Sequence, residues 1–296
     1  MKRFIPILVF TISTSLLAQK NDVASNAYWT QGKAEVNVYE LSQNRYKENH
    51  PGQLVSVFVT EDFLTDKQVK NERYTHPNST WILKNIQLKK FTTGVYDYSL
   101  FTSVFTPINR VAFPKTLKVT ASSQEWCGTI FTQLNLKTDG YSYQQNSYFE
   151  KEGDVLDAIP EVFLEDELYT VLRMSPGLLP VGDFEMLPAV NFMQLKHLPN
   201  RAFAVTASIE AYTENEFMGE KLSQYRIRMP KLNRELRIVF ENKAPYKIMG
   251  WLDTFPSAFD NKIRTTKAML TKQKMLAYWG QNSLKDAALR KELGLN

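Results

Sequence analysis

Residues 203–211 read FAVTASIEA, and this segment decides the fold class. Every second side chain is apolar, which forms one face from Phe203, Val205, Ala207, Ile209 and Ala211. The intervening side chains are small or polar. Successive side chains of a β-strand point to opposite faces of a sheet, so this period predicts a half-buried strand rather than a helix.

Two segments downstream repeat the alternation. Residues 224–229 and 235–240 read QYRIRM and ELRIVF, with apolar side chains at alternate positions and one exception at Val239. The connections at 213–220 and 230–233 are too short for a parallel crossover, so the strands that they join must be antiparallel. Residues 203–251 therefore predict an up-and-down meander with a core that contains Val205, Ile209, Ile227 and Ile238.

The first half of the chain is also rich in β-branched and aromatic residues, which favour strands. Its strand candidates are 33–41, 53–60, 81–91, 96–106, 117–123, 129–137 and 141–149. Asp139-Gly140 lies between the last two, and this dipeptide is a signal for a two-residue hairpin turn.

Two segments carry helical signals. Residues 159–173 follow Asp157 as a cap, have Pro160 near the first turn and end at an arginine. Near the C-terminus, Ser283 and Asp286 fit a capping box, and Gly294 fits the end of a helix. Residues 266–279 fit either a strand or a helix.

These patterns predict a mainly β protein. Its architecture is expected to be a large curved antiparallel sheet or an incomplete barrel, with one or two packed helices and a C-terminal helix. We expect a single β-rich domain over 19–296, with a sub-boundary near 150–185 as the alternative. A chain of this length can bury a substantial core.

The N-terminal segment is typical of a secretory signal peptide over residues 1–18. Lys2 and Arg3 precede an apolar stretch, and Leu-Leu-Ala-Gln at 16–19 fits cleavage after Ala18. The apolar stretch is shorter than the roughly 20 residues that span a bilayer, so we expect it to be removed and to leave no transmembrane span. The expected location is the cell envelope, either periplasmic or associated with the outer membrane.

Charge and cysteine content argue against two classes of protein, those that bind nucleic acid and those that internal disulfides stabilise. Removing Lys2 and Arg3 lowers the formal net charge from +5 to +3. The other basic residues are scattered among acidic ones, whereas nucleic-acid binding requires a concentrated basic surface, so we expect no nucleic-acid partner. Cys127 is the only cysteine, so no internal disulfide can form and packing must hold the fold together.

Gln124-Glu125-Trp126-Cys127-Gly128 is the one local motif that suggests chemistry. In a thiol-dependent enzyme Cys127 would be the catalytic nucleophile, with Glu125 and Gln124 as further catalytic candidates. Trp126 is the candidate ligand-binding residue. A lone cysteine beside a tryptophan in a β protein is more commonly a small buried hydrophobic residue, so we expect the Cys127 thiol to be buried and to resist alkylation.

The other polar residues form no metal or cofactor motif. His50, His76 and His197 lie in loop-like segments without the spacing of metal ligands. The acidic residues 165–167 fall within the predicted helix, where three consecutive side chains point in different directions. Glycine-rich phosphate loops and nucleophile elbows do not occur in the sequence. We expect neither a metal nor a cofactor.

Several segments resemble a family of uncharacterised exported proteins of flavobacteria. The matching segments are YWTQGKAE at 28–35, YELSQNRY at 39–46, VFVTEDFL at 57–64, QEWCG at 124–128, and shorter pieces at 167–168, 172–173, 278–279 and 282–283. Members often carry the label septum formation inhibitor Maf, which implies a cytoplasmic α/β nucleotide pyrophosphatase with Ser-x-Ser-Pro-Arg-Arg near its start. This chain lacks that motif and has an export signal and a β pattern, so the resemblance implies no catalytic residue.

Three functions remain open. The chain has 37 aromatic residues, which favour a non-enzymatic envelope protein that binds an apolar or glycan ligand on the concave face of the sheet. Candidate stacking platforms for sugars are Tyr28-Trp29, Trp81, Trp251 and Tyr278-Trp279. The alternatives are a thiol-dependent enzyme centred on Cys127 and a structural or assembly protein without a small ligand. The expected partner is a lipid, a glycan or another envelope protein.

Overall fold

The computed structural model describes residues 27–295, and the predicted signal peptide at 1–18 lies outside them. Within this range the strands, β1 to β16 in chain order, are Ala34–Arg45, Glu48–Leu64, Val69–Lys70, Ser79–Thr93, Tyr96–Pro107, Lys118–Glu125, Gly128–Lys137, Gly140–Ser147, Val155–Ile159, Phe163–Leu164, Gly182–Leu187, Phe203–Ala211, Leu222–Met229, Arg234–Glu241, Ile248–Pro256 and Ile263–Leu276. The α-helices of this range are α1 (Leu168–Met174), α2 (Val190–Lys196) and α3 (Ala287–Glu292). None of these helices combines the length and the apolar content needed to cross a membrane.

All of these strands belong to one sheet. Hydrogen bonding follows the order β10-β11-β12-β13-β14-β15-β16-β1-β2-β4-β5-β6-β7-β8-β9, with β3 beside β2. Neighbouring strands are antiparallel except for β10 and β11. The mainly β architecture predicted from the sequence is therefore confirmed, and the meander over 203–251 is part of the sheet.

The sheet curls until its two edge strands come near each other. β9 ends at Ile159 and β10 begins at Phe163, yet these strands occupy opposite ends of the hydrogen-bonding order. Residues 160–162 must bridge the two edges, and so short a segment spans at most roughly 14 Å. The two edges are not hydrogen-bonded to each other, so the sheet is not closed. Its inner face therefore surrounds the core almost completely.

Helix α1 packs against the inner face of the sheet. Leu168, Val171 and Leu172 are completely buried in a core that includes residues from both halves of the sheet. Arg173 on the same helix forms an ion pair with Glu35 of β1, and both side chains are buried. This charge-assisted hydrogen bond fixes α1 to the sheet.

The predicted helix over 159–173 is wrong in its first half. Ile159 ends β9, Phe163–Leu164 form β10, and the helix begins only at Leu168. Between them, Glu165–Glu167 form a 3-10 turn. The acidic residues resemble the first turn of a helix, but buried partners elsewhere in the fold hold them, and such contacts override local propensity.

Helix α3 packs on the outer face of the sheet. Ser283 and Asp286 form the predicted capping box before it, and Gly294 follows it with a φ of +69°. Leu293 belongs to a buried cluster with residues of β1 and β16. The ambiguous segment 266–279 is mostly strand β16, because it pairs with both β1 and β15.

The predicted core of the meander is correct at three positions and wrong at one. Val205, Ile227 and Ile238 are buried. Ile209 is 39% exposed, so its assignment to the core is wrong. β11 pairs with β12 only as far as Ala207, which leaves Ile209 without a neighbouring strand on that side.

The predicted hairpin between β7 and β8 is present, with its turn one residue earlier than expected. Lys137 and Gly140 are paired, so the turn residues are Thr138 and Asp139. Gly140 has a φ of +129°, and a side chain there would collide with the carbonyl oxygen of Ile159. The close approach of β9 therefore requires a glycine at this position.

Candidate functional site

An internal cavity that is partly open to the surface lies between the inner face of the sheet and α2. Its volume is about 90 Å³, which is room for a few water-sized groups. Side chains of β1, β4, β5, β14 and β15, of the turn 165–167 and of the helices α1 and α2 form its wall. The charged residues of the wall are Arg45, Lys89, Glu165, Asp166, Lys196, Arg234 and Asp253. Glu165, Asp166 and Arg234 are buried and the other four are partly buried. Charged side chains are rarely buried, so this concentration suggests a site.

Arg234 is the centre of an ion-pair network in the cavity wall. Its guanidinium donates two hydrogen bonds to Glu165, at 2.7 and 2.6 Å, and two to Asp253, at 2.7 and 2.9 Å. The guanidinium carbon lies 3.6 Å from the ring centroid of Phe192 on α2. Burial opposes the charge, but the neighbouring Asp253 and Glu165 raise the pKa of Arg234 above its ordinary value. Both carboxylates are therefore ion-paired with Arg234.

Asp166 connects the 3-10 turn to α2. Its carboxyl group accepts a hydrogen bond of 3.0 Å from the backbone N–H of Val190, the first residue of α2. Burial raises the pKa of Asp166 to about 7, because the charged form loses its hydration. Asp166 therefore changes its charge near neutral pH.

Lys89 projects from β4 into the same cavity. Its ammonium donates to the amide oxygen of Gln43 at 3.1 Å. The amide nitrogen of Gln43 in turn donates to the hydroxyl of Thr266 at 3.1 Å, which orients the amide. Burial lowers the pKa of Lys89 to about 8. Its nearest hydrogen-bond partner is thus a neutral group.

The other two cations of the wall also bind neutral groups. Arg45 donates to the carbonyl oxygen of Leu195 at 2.7 Å and to the hydroxyl of Tyr98 at 3.0 Å. Lys196 donates to the carbonyl oxygen of Pro256 at 2.6 Å. Burial and the neighbouring Arg45 lower the pKa of Lys196. The wall therefore holds like charges close together.

Three residues of the cavity wall each have one buried polar atom without a hydrogen-bond partner among residues 27–295. These atoms are Asn44 Oδ1, Arg45 Nε and Asn191 Oδ1. Asn44 is 4% exposed, so bulk water does not compensate for the missing bond. An unpaired buried polar atom costs about 1–3 kcal/mol. A ligand that both donates and accepts hydrogen bonds would relieve this cost.

An aromatic cluster adjoins the cavity wall. Its members are linked by ring contacts and are Tyr46, Tyr96, Tyr98, Trp126 and Phe259. Tyr46 and Phe259 belong to the cavity wall. Phe259 is 51% exposed and Trp126 is 71% exposed. The structure thus places the predicted ligand-binding residue, Trp126, beside the cavity rather than inside it.

A second, open groove lies along β2 and β4, with a volume of about 710 Å³. Three exposed aromatic side chains line it, those of Tyr74, Trp81 and Trp279. Thr60 and Glu61 add polar groups to its wall. Two of the other predicted stacking platforms are core residues, Trp29 and Trp251.

The motif at 124–128 forms the hairpin turn between β6 and β7, and the expectation of a buried thiol is wrong. Glu125 pairs with Gly128, so Trp126 and Cys127 are the turn residues, and Cys127 is exposed. Both turn residues lie beyond the last paired residues of β6 and β7. The carboxylate of Glu125 raises the pKa of the Cys127 thiol, which disfavours the thiolate needed by a nucleophile.

Among residues 27–295, no hydrogen bond joins Cys127 to Gln124 or to a histidine side chain. Gln124 is exposed on β6. Within residues 27–295, the side chains of His50, His76 and His197 form hydrogen bonds with backbone groups or with a carboxylate, none with the thiol. The same part of the chain contains no group of three histidine, cysteine, aspartate or glutamate residues placed to hold a metal ion.

The acidic run at 165–167 is buried, and each residue has its own partner. Glu165 binds Arg234, and Asp166 binds the backbone of α2. Glu167 accepts a hydrogen bond of 2.6 Å from the hydroxyl of Thr116. The run therefore joins three parts of the interior.

Sequence reasoning missed the charged residues of the cavity. Lys89 shares its strand phase with Leu83 and Phe91, which are core residues, so a charge at an inward position was the available signal. Arg234 had no such signal, because its carboxylate partners lie 69 and 19 residues away in the chain. Only the tertiary structure brings these groups together.

No family model, no curated protein and no solved structure matches this chain. Inference about its function therefore depends on the geometry of the site.

Proposed function

We propose that the chain is an exported cell-envelope protein that binds a hydroxyl-rich, glycan-type ligand at the internal cavity and the aromatic cluster, without transforming it. The observation that carries this function is that three residues lining one cavity each have a buried polar atom without a partner among the described residues: Asn44 Oδ1, Arg45 Nε and Asn191 Oδ1. A hydroxyl group both donates and accepts a hydrogen bond, so adjacent hydroxyls can serve both kinds of atom.

The charge of the cavity wall favours a glycan over an apolar ligand. A hydrocarbon chain would displace water from the ammonium of Lys89 and from the network around Arg234 and would return no hydrogen bond. Such desolvation of charged and polar groups is costly. A hydroxylated ligand replaces the hydrogen bonds of the displaced water.

The cavity accepts one end of a ligand, and the aromatic cluster contacts the rest. A volume of about 90 Å³ is small for a ligand site. The exposed rings of Trp126 and Phe259 lie at the surface next to it and offer flat apolar faces. Sugar rings have apolar faces of matching shape, with hydroxyls at their edges. The two surfaces together therefore suit a sugar with a further group attached.

Mass spectrometry of the molecules that co-purify with the protein from its native envelope tests this function. We expect a hydroxylated compound with the wild-type protein and its loss from Asn191→Leu, which removes an unpaired acceptor with little change in side-chain size. Trp279→Ala, in the open groove, is the control and should retain the compound. Melting temperatures establish that each variant is folded.

Three outcomes would contradict the proposal. Retention of a hydrocarbon without a polar head group would favour the apolar alternative. Loss of the compound from Trp279→Ala alone would move the site to the open groove, which is the second candidate because of its exposed aromatic rings. If no small molecule accompanies the protein, the structural or assembly alternative gains support.

A further inference from the structure

The carboxylates of the cavity wall all have hydrogen-bond partners within the protein, whereas three of its four cations form no ion pair among the described residues. Glu165 and Asp253 both bind Arg234, and Asp166 accepts a hydrogen bond from the backbone of α2. Among residues 27–295, no carboxylate forms an ion pair with the other cations of the wall, Arg45, Lys89 and Lys196. A ligand therefore meets three positive groups whose charge is not matched by a direct partner.

These three cations line the same cavity. The side chains of Gln43 and Arg45 lie two residues apart on β1, and so they project from the same face of the sheet. Gln43 holds the ammonium of Lys89 on that face. Arg45 is close enough to Lys196 to lower its pKa, and the Nε of Arg45 has no hydrogen-bond partner among the described residues. An anion between these cations would offset their mutual repulsion and the cost of their burial.

We propose that the ligand of this cavity carries an oxyanion, either a carboxylate or a phosphate, that is bound by Lys89, Arg45 and Lys196. This inference rests on the proposed function, because it names the group of the same ligand that enters the cavity. The small volume admits such a group. Charge-assisted hydrogen bonds are also roughly twice as strong as neutral ones.

The binding of an oxyanion here depends on pH. As the pH rises through about 7, Asp166 loses its proton and adds negative charge to the wall, because burial has raised its pKa to about 7. As the pH rises through about 8, Lys89 loses its positive charge, because burial has lowered its pKa to about 8. Both changes weaken the binding of an anion between pH 6 and pH 9.

The other titratable groups that face the cavity do not reverse this direction. Burial raises the pKa of Tyr46 and of Tyr169, so these phenols stay neutral in this range. The lowered pKa of Lys196 acts in the same sense as that of Lys89. The remaining charged groups of the wall are Arg45 and the ion-paired set of Arg234, Glu165 and Asp253.

Titration calorimetry with three probes tests the proposal. Glucose, glucuronate and glucose 6-phosphate share one sugar ring and differ only at the sixth carbon, which carries a hydroxyl, a carboxylate or a phosphate. At pH 6 we expect at least one acid to bind about tenfold or more tightly than glucose, as charge-assisted hydrogen bonds require. The acid that binds more tightly shows whether the oxyanion of the ligand is a carboxylate or a phosphate. The preference for glucuronate over glucose should fall as the pH is raised to 9, because its carboxylate keeps one charge over this range while the cavity wall loses positive charge.

Adjacent lysines provide a matched pair of variants. Lys89→Gln should reduce the preference for the acid to nearly equal affinity, whereas Lys90→Gln should keep it, since Lys90 is exposed on the opposite face of β4. Lys89→Arg retains the charge and should retain the preference. Melting temperatures show whether each variant is folded, and the affinities of the wild-type protein for glucose and the two acids test the proposal if Lys89→Gln is not.

The failure of this inference differs from the failure of the proposed function. Equal affinity for glucose and both acids would overturn the oxyanion and leave the glycan site standing. If none of the three probes binds, the compound that co-purifies with the protein tests the inference instead. A neutral compound would overturn the oxyanion. An acidic compound that co-purifies with the wild-type protein but not with Lys89→Gln would support it. Recovery of no compound at all would contradict the proposed function itself, and this inference with it.

Discussion

Adjacent residues of one strand differ in role because they face opposite sides of the sheet. Lys89 reaches the internal cavity, whereas Lys90 is exposed. The two side chains have the same chemistry, and burial lowers the pKa of Lys89. At the scale of the residue, position relative to the sheet decides what a lysine can do.

Cys127 provides a test at the same scale. The thiol is exposed in the turn between β6 and β7, so we expect iodoacetamide to label it completely in the native protein. The rate at pH 7 should be lower than that of glutathione, because Glu125 raises the thiol pKa, and Glu125→Gln should increase it. Mass spectrometry at timed intervals gives both rates.

Replacement of this cysteine should also leave the fold intact. Cys127→Ser should change the free energy of unfolding by less than about 0.5 kcal/mol, as surface substitutions do. A thiol that is labelled only after unfolding would show that the turn is covered. Labelling faster than that of glutathione would instead restore the thiol-dependent enzyme as an alternative.

At the scale of the element, the neighbours of a strand decide how much each of its residues contributes to stability. Ile227 is completely buried on β13, between β12 and β14. Ile209 lies on the apolar phase of β12 but beyond the end of its pairing with β11. The same residue type therefore has different surroundings on adjacent strands.

Urea unfolding should separate these two isoleucines. Ile227→Ala should lower the free energy of unfolding by about 2–5 kcal/mol, through lost burial and a cavity. Ile209→Ala should lower it by less than about 1 kcal/mol, because the side chain is partly in water already. Arg226→Ala should also cost less than about 1 kcal/mol, since its ion pair with Glu235 is partly exposed. Equal losses at Ile227 and Ile209 would mean that β12 is covered along its whole length.

At the scale of the whole molecule, the curl of the sheet assembles the cavity. Strands from both halves of the chain contribute to its wall, and α2 covers it. The bond between Glu165 and Arg234 joins residues 69 positions apart. Such a site can form only when the sheet has curled far enough to bring β4 and β14 to face one interior.

The whole chain also carries a prediction about its own processing. The segment 1–18 is too short to span a bilayer and has the order of a signal peptide, so we expect the mature protein to begin near Gln19. N-terminal sequencing of the protein from a periplasmic or outer-membrane fraction measures this. An intact Met1 on a protein recovered from the cytoplasm would contradict export.

The sequence by itself determined the strand content, the antiparallel meander and the capped C-terminal helix. These features depend on local periods, short connections and capping residues, which are visible within a few residues of each other. It also indicated a turn near Asp139-Gly140, with an error of one residue. Local rules were sufficient wherever the relevant partners were neighbours in the chain.

The tertiary structure alone decided the burial of particular residues and the composition of the cavity. Cys127 is exposed because its hairpin turn extends beyond the sheet, and residues 165–167 avoid a helix because each binds a distant group. Lys89, Arg234 and Asn44 line one cavity only because the sheet curls round a common interior. The physical reason is that burial and charge pairing depend on which groups meet in space, and no local pattern records that for residues far apart in the chain.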